Sequence, residues 1–220
     1  MTIQPLRFGQ TYHIYNRGNN RENLFFEPRN YPYFLNLYAK HILPIAETYA
    51  YCLLPNHFHF ALRTYAEEEQ EAYHREQIGP ISENSSISKT DPQIGPIFVL
   101  QEPSRAFNNL FIAYARAFNK ATNRTGALFE SPFGRKAVGS QHYLLTLISY
   151  IHHNPQKHGF VTDFRDWPWS SYEAILSDRP TNINRDEVLA WYNGRSQFAD
   201  AHATEQDTKL IAPLLLEDWF

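Results

Sequence analysis

At 220 residues and a formal net charge of −3, the chain is long enough for one domain with appendages and a substantial core. Its single cysteine, Cys52, excludes an internal disulfide framework and fits a reducing cytoplasm, the expected location. No apolar run approaches the roughly 18 residues of a membrane span and the N-terminus lacks the basic-then-apolar order of a signal peptide, so no membrane partner is expected.

The charge is unevenly divided. Residues 1–64 carry six Lys or Arg against three Asp or Glu, and residues 101–165 carry eight against three. Residues 65–100 carry two against seven, and residues 173–220 carry four against nine. A basic core between acidic pieces is compatible with a nucleic-acid partner.

In chain order, residues 10–17 alternate as a strand does, and Arg17-Gly18-Asn19-Asn20-Arg21 reads as a loop. The spacing of Phe34, Leu35, Leu37, Tyr38 and Ile42 predicts a helix over Tyr31 to Leu43. Strands follow at about 46–54 and 57–64, joined by a tight Pro55-Asn56 corner. Residues 65–100 look different: three consecutive glutamates, then Ser, Asn and Pro without periodicity, read here as an acidic flexible insertion. The pentapeptide Gln-Ile-Gly-Pro-Ile stands in it twice, at 77–81 and 93–97, which suits a local duplication better than a solenoid. Ser104 can cap a helix through about Asn123. Residues 127–138 suggest an irregular strand or hairpin, broken by Pro132 and Gly134. A helix with Leu144, Leu147, Ile148 and Ile151 on its apolar side comes next, and Pro155 is expected to end it at Asn154. The tail from 176 offers a short helix around Val188–Tyr192 and an apolar Leu214-Leu215-Leu216. Strands interleaved with helices in this order predict an α+β fold, an antiparallel sheet with helices packed on one face.

Two segments carry chemistry. His57 and His59 sit two apart in an apolar strand, so both imidazoles project to one face while Phe58 and Phe60 project to the other. Alone, the pair fits two hydrogen-bonded histidines at a sheet surface as well as half of a metal site. Tyr150 and Asn154 lie four apart and share one face at the end of the third helix. Alone, these fit a half-buried tyrosine and a turn-forming asparagine.

Together, His57-Phe58-His59 after Leu54-Pro55-Asn56 and Tyr150-Ile151-His152-His153-Asn154-Pro155-Gln156-Lys157-His158-Gly159 resemble the HUH single-tyrosine transposase family, in its REP-associated tyrosine transposase branch. Tyr12-His13-Ile14-Tyr15-Asn16-Arg17-Gly18-Asn19 resembles that branch's opening strand and turn, and Trp167-Pro168-Trp169-Ser170-Ser171-Tyr172 its closing motif. The resemblance covers about residues 8–175. It implies a ferredoxin-like (RRM-like) HUH endonuclease architecture over 1–175, interrupted at 65–100, with 176–220 as a C-terminal appendage. It also implies that Tyr150 is the nucleophile, that His57, His59 and Asn154 hold a divalent ion (Mg2+ or Mn2+), and that the product is a 5′-phosphotyrosine on single-stranded or hairpin DNA. A homodimer stays open as the assembly.

The residue types suit that chemistry. Phosphodiester cleavage needs a nucleophile and a means of bearing charge on the phosphate oxygens, which a divalent ion supplies. His153, three residues from Tyr150, is an alternative ligand or proton shuttle. His152 is expected to face away, and His13, His142 and His158 have ordinary surface or capping explanations. Asn16, Arg17, Arg21, Arg135 and Lys136 flank strand ends or loops and are the expected DNA contacts. Two other classes remain: a hairpin-binding module that does not cut, and a metal enzyme acting on a small substrate. The second lacks the usual acidic ligand.

Overall fold

The computed structural model describes residues 4–78 and 99–203. Four strands, β1 (Thr11–Arg17), β2 (Ala46–Leu53), β3 (His57–Thr64) and β4 (Gly134–Ala137), form one sheet in the order β2-β3-β1-β4 with every neighbour antiparallel. The long helices are α1 (Asn30–His41), α2 (Glu67–Ile78), α3 (Pro103–Thr122) and α4 (Gln141–Lys157). Three short ones follow: α5 (Tyr172–Leu176), α6 (Arg185–Trp191) and α7 (Arg195–Ala203). The expected ferredoxin-like α+β sheet is present.

Strand alternation splits the core in two. On one face Tyr12, Ile14, Phe58, Phe60 and Leu62 meet α1 and α3 through Phe34, Tyr38, Phe107 and Tyr114. The other face offers Ala50, Cys52 and Ala61, small enough for α4 to lie close with Leu147, Ile148, Tyr150 and Ile151 against it. Helices therefore cover both faces rather than one. The second face carries the histidines of β3, so α4 is the helix that meets them. Burial of Cys52 there pushes its thiol pKa well up, which makes it packing and not a reactive group.

Three expectations change. The acidic insertion begins with α2, which lacks an apolar stripe but has other supports. Its glutamates lie in the first turn, where the helix dipole favours them, and Glu69 accepts a hydrogen bond from the Ala66 amide at 2.6 Å. Glu69 also pairs with Arg63 of β3, and buried Gln70 exchanges hydrogen bonds with the Gln101 backbone. The rest of the insertion, with nearly all of both Gln-Ile-Gly-Pro-Ile copies, lies outside the described residues. Ser104 does not cap α3. Glu102 holds that position with Pro103 at the first turn, and the Ser104 hydroxyl instead accepts from the Leu6 amide at 2.8 Å. Of the expected C-terminal appendage, the described residues 176–203 pack on the core: Val188, Tyr192 and Phe198 are buried in the α4 core, and Asn184 donates its backbone amide to the Thr48 carbonyl at 2.8 Å. Leu214–216 lie outside the described residues.

The closing motif has a structural task. Leu53 and Trp169, Tyr51 and Ser171, and the Trp167 indole and the Leu53 carbonyl are joined by hydrogen bonds of 2.9, 3.0 and 2.9 Å, so the segment covers the outer edge of β2.

Candidate functional site

Register sets the site. Tyr15 lies opposite His59, Arg17 opposite His57 and His13 opposite Ala61, so His13, Tyr15, Arg17, His57 and His59 share the α4 face. Lys136, opposite His13 on β4, joins them. Tyr15 lies flat over the next strand because Gly134 leaves room; a Cβ there would fall 1.9 Å from the Tyr15 ring.

From α4 comes a stripe at four-residue spacing: Tyr150, Asn154 and His158. The helix does not stop at Asn154 but runs to Lys157 with Pro155 inside it. Burial of Ile151 in the second core, with Asn154 and Pro155 also buried, outweighs the steric bias of the proline. That last turn brings three groups toward the strand. His158 lies with its ring 4.9 Å from that of His57, Asn154 interacts with the His57 imidazole, and the Lys157 ammonium sits 4.8 Å over the Tyr150 ring. The chain then leaves through Gly159 at φ +71°, a left-handed turn suited to glycine.

The four predicted site residues are brought together. The His57 and His59 rings are 5.2 Å apart, and the His59 and Tyr150 rings 5.8 Å apart. All four side chains are buried. Burial pushes the His57 pKa down to about 3, with the neighbouring His158 and Arg17 adding to the fall and Asn154 opposing it. Burial, then His13, His57 and His158, hold His59 well below the usual imidazole range. Both rings are therefore neutral at physiological pH, the state in which imidazole ligates.

The donor set can be tested for a cation. Asn56 presents its amide oxygen 2.7 Å from Nδ1 of His57, so that nitrogen carries the proton and Nε2 keeps its lone pair. Asn154 donates its amide N–H to the Tyr150 carbonyl at 3.0 Å, which leaves Oδ1 as an acceptor. Oδ1 of Asn154 and Nε2 of His59 are both buried with no hydrogen-bond partner among the described residues. Buried acceptors of this kind are costly unless something electropositive meets them. Among the described residues no three His, Cys, Asp or Glu side chains are grouped to hold a metal ion, so a cation here depends on the amide oxygen. The set fits a divalent ion held by two imidazoles and one amide.

The structure separates the remaining predicted residues. Arg17 pairs with Glu130 at 2.5 Å yet lies close enough to His57 to lower its pKa, and Lys136 acts likewise on His13. Arg21 is exposed on the loop after β1. Asn16 and Arg135 face the opposite side of the sheet. The Asn16 amide accepts from the Arg17 backbone at 2.8 Å and donates to the Glu130 carbonyl at 3.2 Å. The Arg135 guanidinium packs 3.6 Å over the Phe133 ring. His153 turns away to the Ser149 carbonyl and the Phe164 ring, so it does not replace Asn154. His152 faces Ser171 and His202.

His13 and His158, expected in surface or capping roles, instead face the site, as do Tyr15 and Lys157, to which the sequence pattern assigns no role. The four-residue step from Asn154 to His158 emerges only because the helix continues past Pro155. His13 needed the register of β1 on β3.

No family model matches the chain. A Haemophilus influenzae protein provisionally named a REP-associated tyrosine transposase is 27% identical over 126 residues, covering 57% of this chain and 58% of that protein. The chain thus spans little more than half the length of this relative. A solved structure of a REP-associated tyrosine transposase bound to a REP hairpin superposes with a TM-score of 0.51 at 17% identity, covering 82% of this chain and 89% of that one. The resemblance carried by the motifs holds in sequence and in fold. Among the described residues no helix is long and apolar enough to cross a membrane.

Proposed function

We propose that this chain cleaves and rejoins single-stranded DNA at a hairpin, with Tyr150 as the nucleophile. The observation that carries the reading is the convergence of Tyr150 with His57, His59 and Asn154, two segments about ninety residues apart in sequence, at one buried place. The likeness to proteins named REP-associated tyrosine transposases, one of them bound to a REP hairpin, supports it.

The phenolic oxygen of Tyr150 attacks the phosphorus and the bond to O3′ breaks. The strand's 5′-phosphate ends on the tyrosine, the phenol loses its proton, and O3′ gains one. Bond energy is conserved in the phosphotyrosine, so the free 3′-hydroxyl of another strand can reverse the step without a nucleotide cofactor. His57, His59 and Asn154 would hold Mg2+ or Mn2+, and imidazole favours the second. When bound, such an ion supplies Lewis-acid stabilisation of charge on the phosphate oxygens. Lys157, over the Tyr150 ring, offsets negative charge as it develops on the attacking oxygen. Arg17 and Lys136 lie beside the histidines, where cations draw in a phosphate backbone.

A labelled hairpin with a single-stranded flank, incubated with protein and Mn2+, should yield a covalent adduct that survives denaturing gels. Tyr150→Phe should retain hairpin binding and lose the adduct. An adduct in that variant would transfer the role to another tyrosine, with Tyr15, its ring 6.2 Å from that of His59, the next to examine. A gel shift from the unmodified protein with no adduct would identify a hairpin-binding module that does not cut.

A further inference from the structure

Proton positions are fixed on two of the three proposed donor side chains, by Asn56 on His57 and by the Tyr150 carbonyl on Asn154. His59 is held differently, by another imidazole. Nε2 of His13 lies 2.9 Å from Nδ1 of His59, the two rings meet edge to edge at an interplanar angle of 22° with centroids 5.1 Å apart, and both side chains are buried.

Two neutral imidazoles share one hydrogen across such a contact, so two arrangements exist. If His13 donates, His59 carries its own proton on Nε2 and has no lone pair left for a cation. If His59 donates, His13 carries its proton on Nδ1, and Nε2 of His59 is a free lone pair in the space shared with His57 and Tyr150. Among the described residues, the outer nitrogens of the pair, Nδ1 of His13 and Nε2 of His59, are both buried without a hydrogen-bond partner. The protein therefore settles neither end, and whatever binds at His59 selects the arrangement.

We propose that His13 is the positioning residue for His59. In the cation-bound protein it accepts the Nδ1–H of His59, which fixes the ring and presents the Nε2 lone pair beside Tyr150. This rests on the metal part of the nuclease reading above. It follows the general rule that a ligating imidazole donates its other N–H to a supporting acceptor, and here that acceptor comes from β1.

Long-range proton–nitrogen spectra of the full chain, labelled with 15N-histidine and loaded with diamagnetic Mg2+, read the arrangement directly. We expect His59 to carry its proton on Nδ1, and a proton on Nε2 would overturn the assignment. Mn2+ titration gives a second readout. His13→Leu removes the acceptor and should weaken Mn2+ binding by about 10- to 100-fold. His13→Gln keeps an acceptor oxygen at similar reach and should restore most of the affinity. Unchanged affinity in His13→Leu, or equal loss in both variants, would overturn the role. If His13→Leu does not fold, the ring spectrum of the unmodified chain decides alone. An unmodified chain that takes up no cation would overturn this assignment and the metal part of the nuclease reading together. The expected proton position with no DNA adduct would sink only the nuclease reading.

Discussion

Acid should unfold this protein earlier than its overall charge suggests. Burial, the largest cause in every case, pushes the pKa of His13 and His57 down to about 3 and of His202 to about 4, and holds His59 and His152 well below the ordinary range. In the unfolded chain each imidazole returns to about 6.5. A group depressed in the native state contributes stability that is complete above its unfolded pKa and drains away as pH falls toward its native one. At pH 5.5, one unit below the unfolded value, each histidine favours the unfolded chain by about 1.4 kcal/mol, and the five together by roughly 7 kcal/mol. That rivals the whole stability of a typical domain, about 5–15 kcal/mol. Urea melts in EDTA, followed by tryptophan fluorescence between pH 7.5 and 5.5, should show the midpoint falling steeply, with about four to five protons taken up on unfolding near pH 5. A midpoint that stays constant across this range would refute the neutral burial of these rings.

Three further outcomes are expected. His57→Ala or His59→Ala should abolish Mn2+-dependent adduct formation, while Asn154→Ala should weaken it less because water replaces a neutral oxygen ligand; a single-turnover adduct assay over a Mn2+ series separates them. Lys136→Ala should reduce hairpin affinity and lower the salt slope of binding by about one, whereas Arg135→Ala, on the other face, should leave that slope unchanged and cost stability through lost packing on Phe133. Replacing residues 79–98 with a short Gly/Ser linker should preserve folding and adduct yield, since the cost of closing a connecting segment changes by only about 0.6 kcal/mol per doubling of its length. A deletion that also removes α2 should lower the melting temperature by exposing Arg63 and Gln101, and equal melting of the two deletions would show that α2 contributes nothing.

The sequence made the main site legible because its signals are local. His57 and His59 share a face by the two-residue period of a strand, and Tyr150 and Asn154 by the four-residue step of a helix. The supporting groups were not legible for the opposite reason. His13 reaches His59 across 46 residues of sequence, and only the pairing of β1 with β3 aligns them. The same register decides that Lys136 faces the site while its neighbour Arg135 does not. The end of α4 was not legible because the steric preference at Pro155 is local, whereas the burial that opposes it comes from the folded core. The α2 segment misled because a helix held by a capping carboxylate and ion pairs shows no apolar period. The packing of residues 183–203 was not legible because Val188, Tyr192 and Phe198 fill a core whose other half lies in α4.

The cover over β2 has a consequence for synthesis. The strand Ala46–Leu53 is rich in β-forming residues and carries a single charge, the kind of edge that pairs with other chains when bare. Its Tyr51 is closed off by Ser171, 120 residues later. At about 5–20 residues per second, a growing chain leaves that edge open for roughly 6–24 s before its own cover has been made. During that interval protection must come from the ribosome's surroundings. A message truncated just before Trp167 would yield a product with both histidines, Tyr150 and a permanently sticky margin, one that collects in the pellet although every residue of the proposed nuclease site is present.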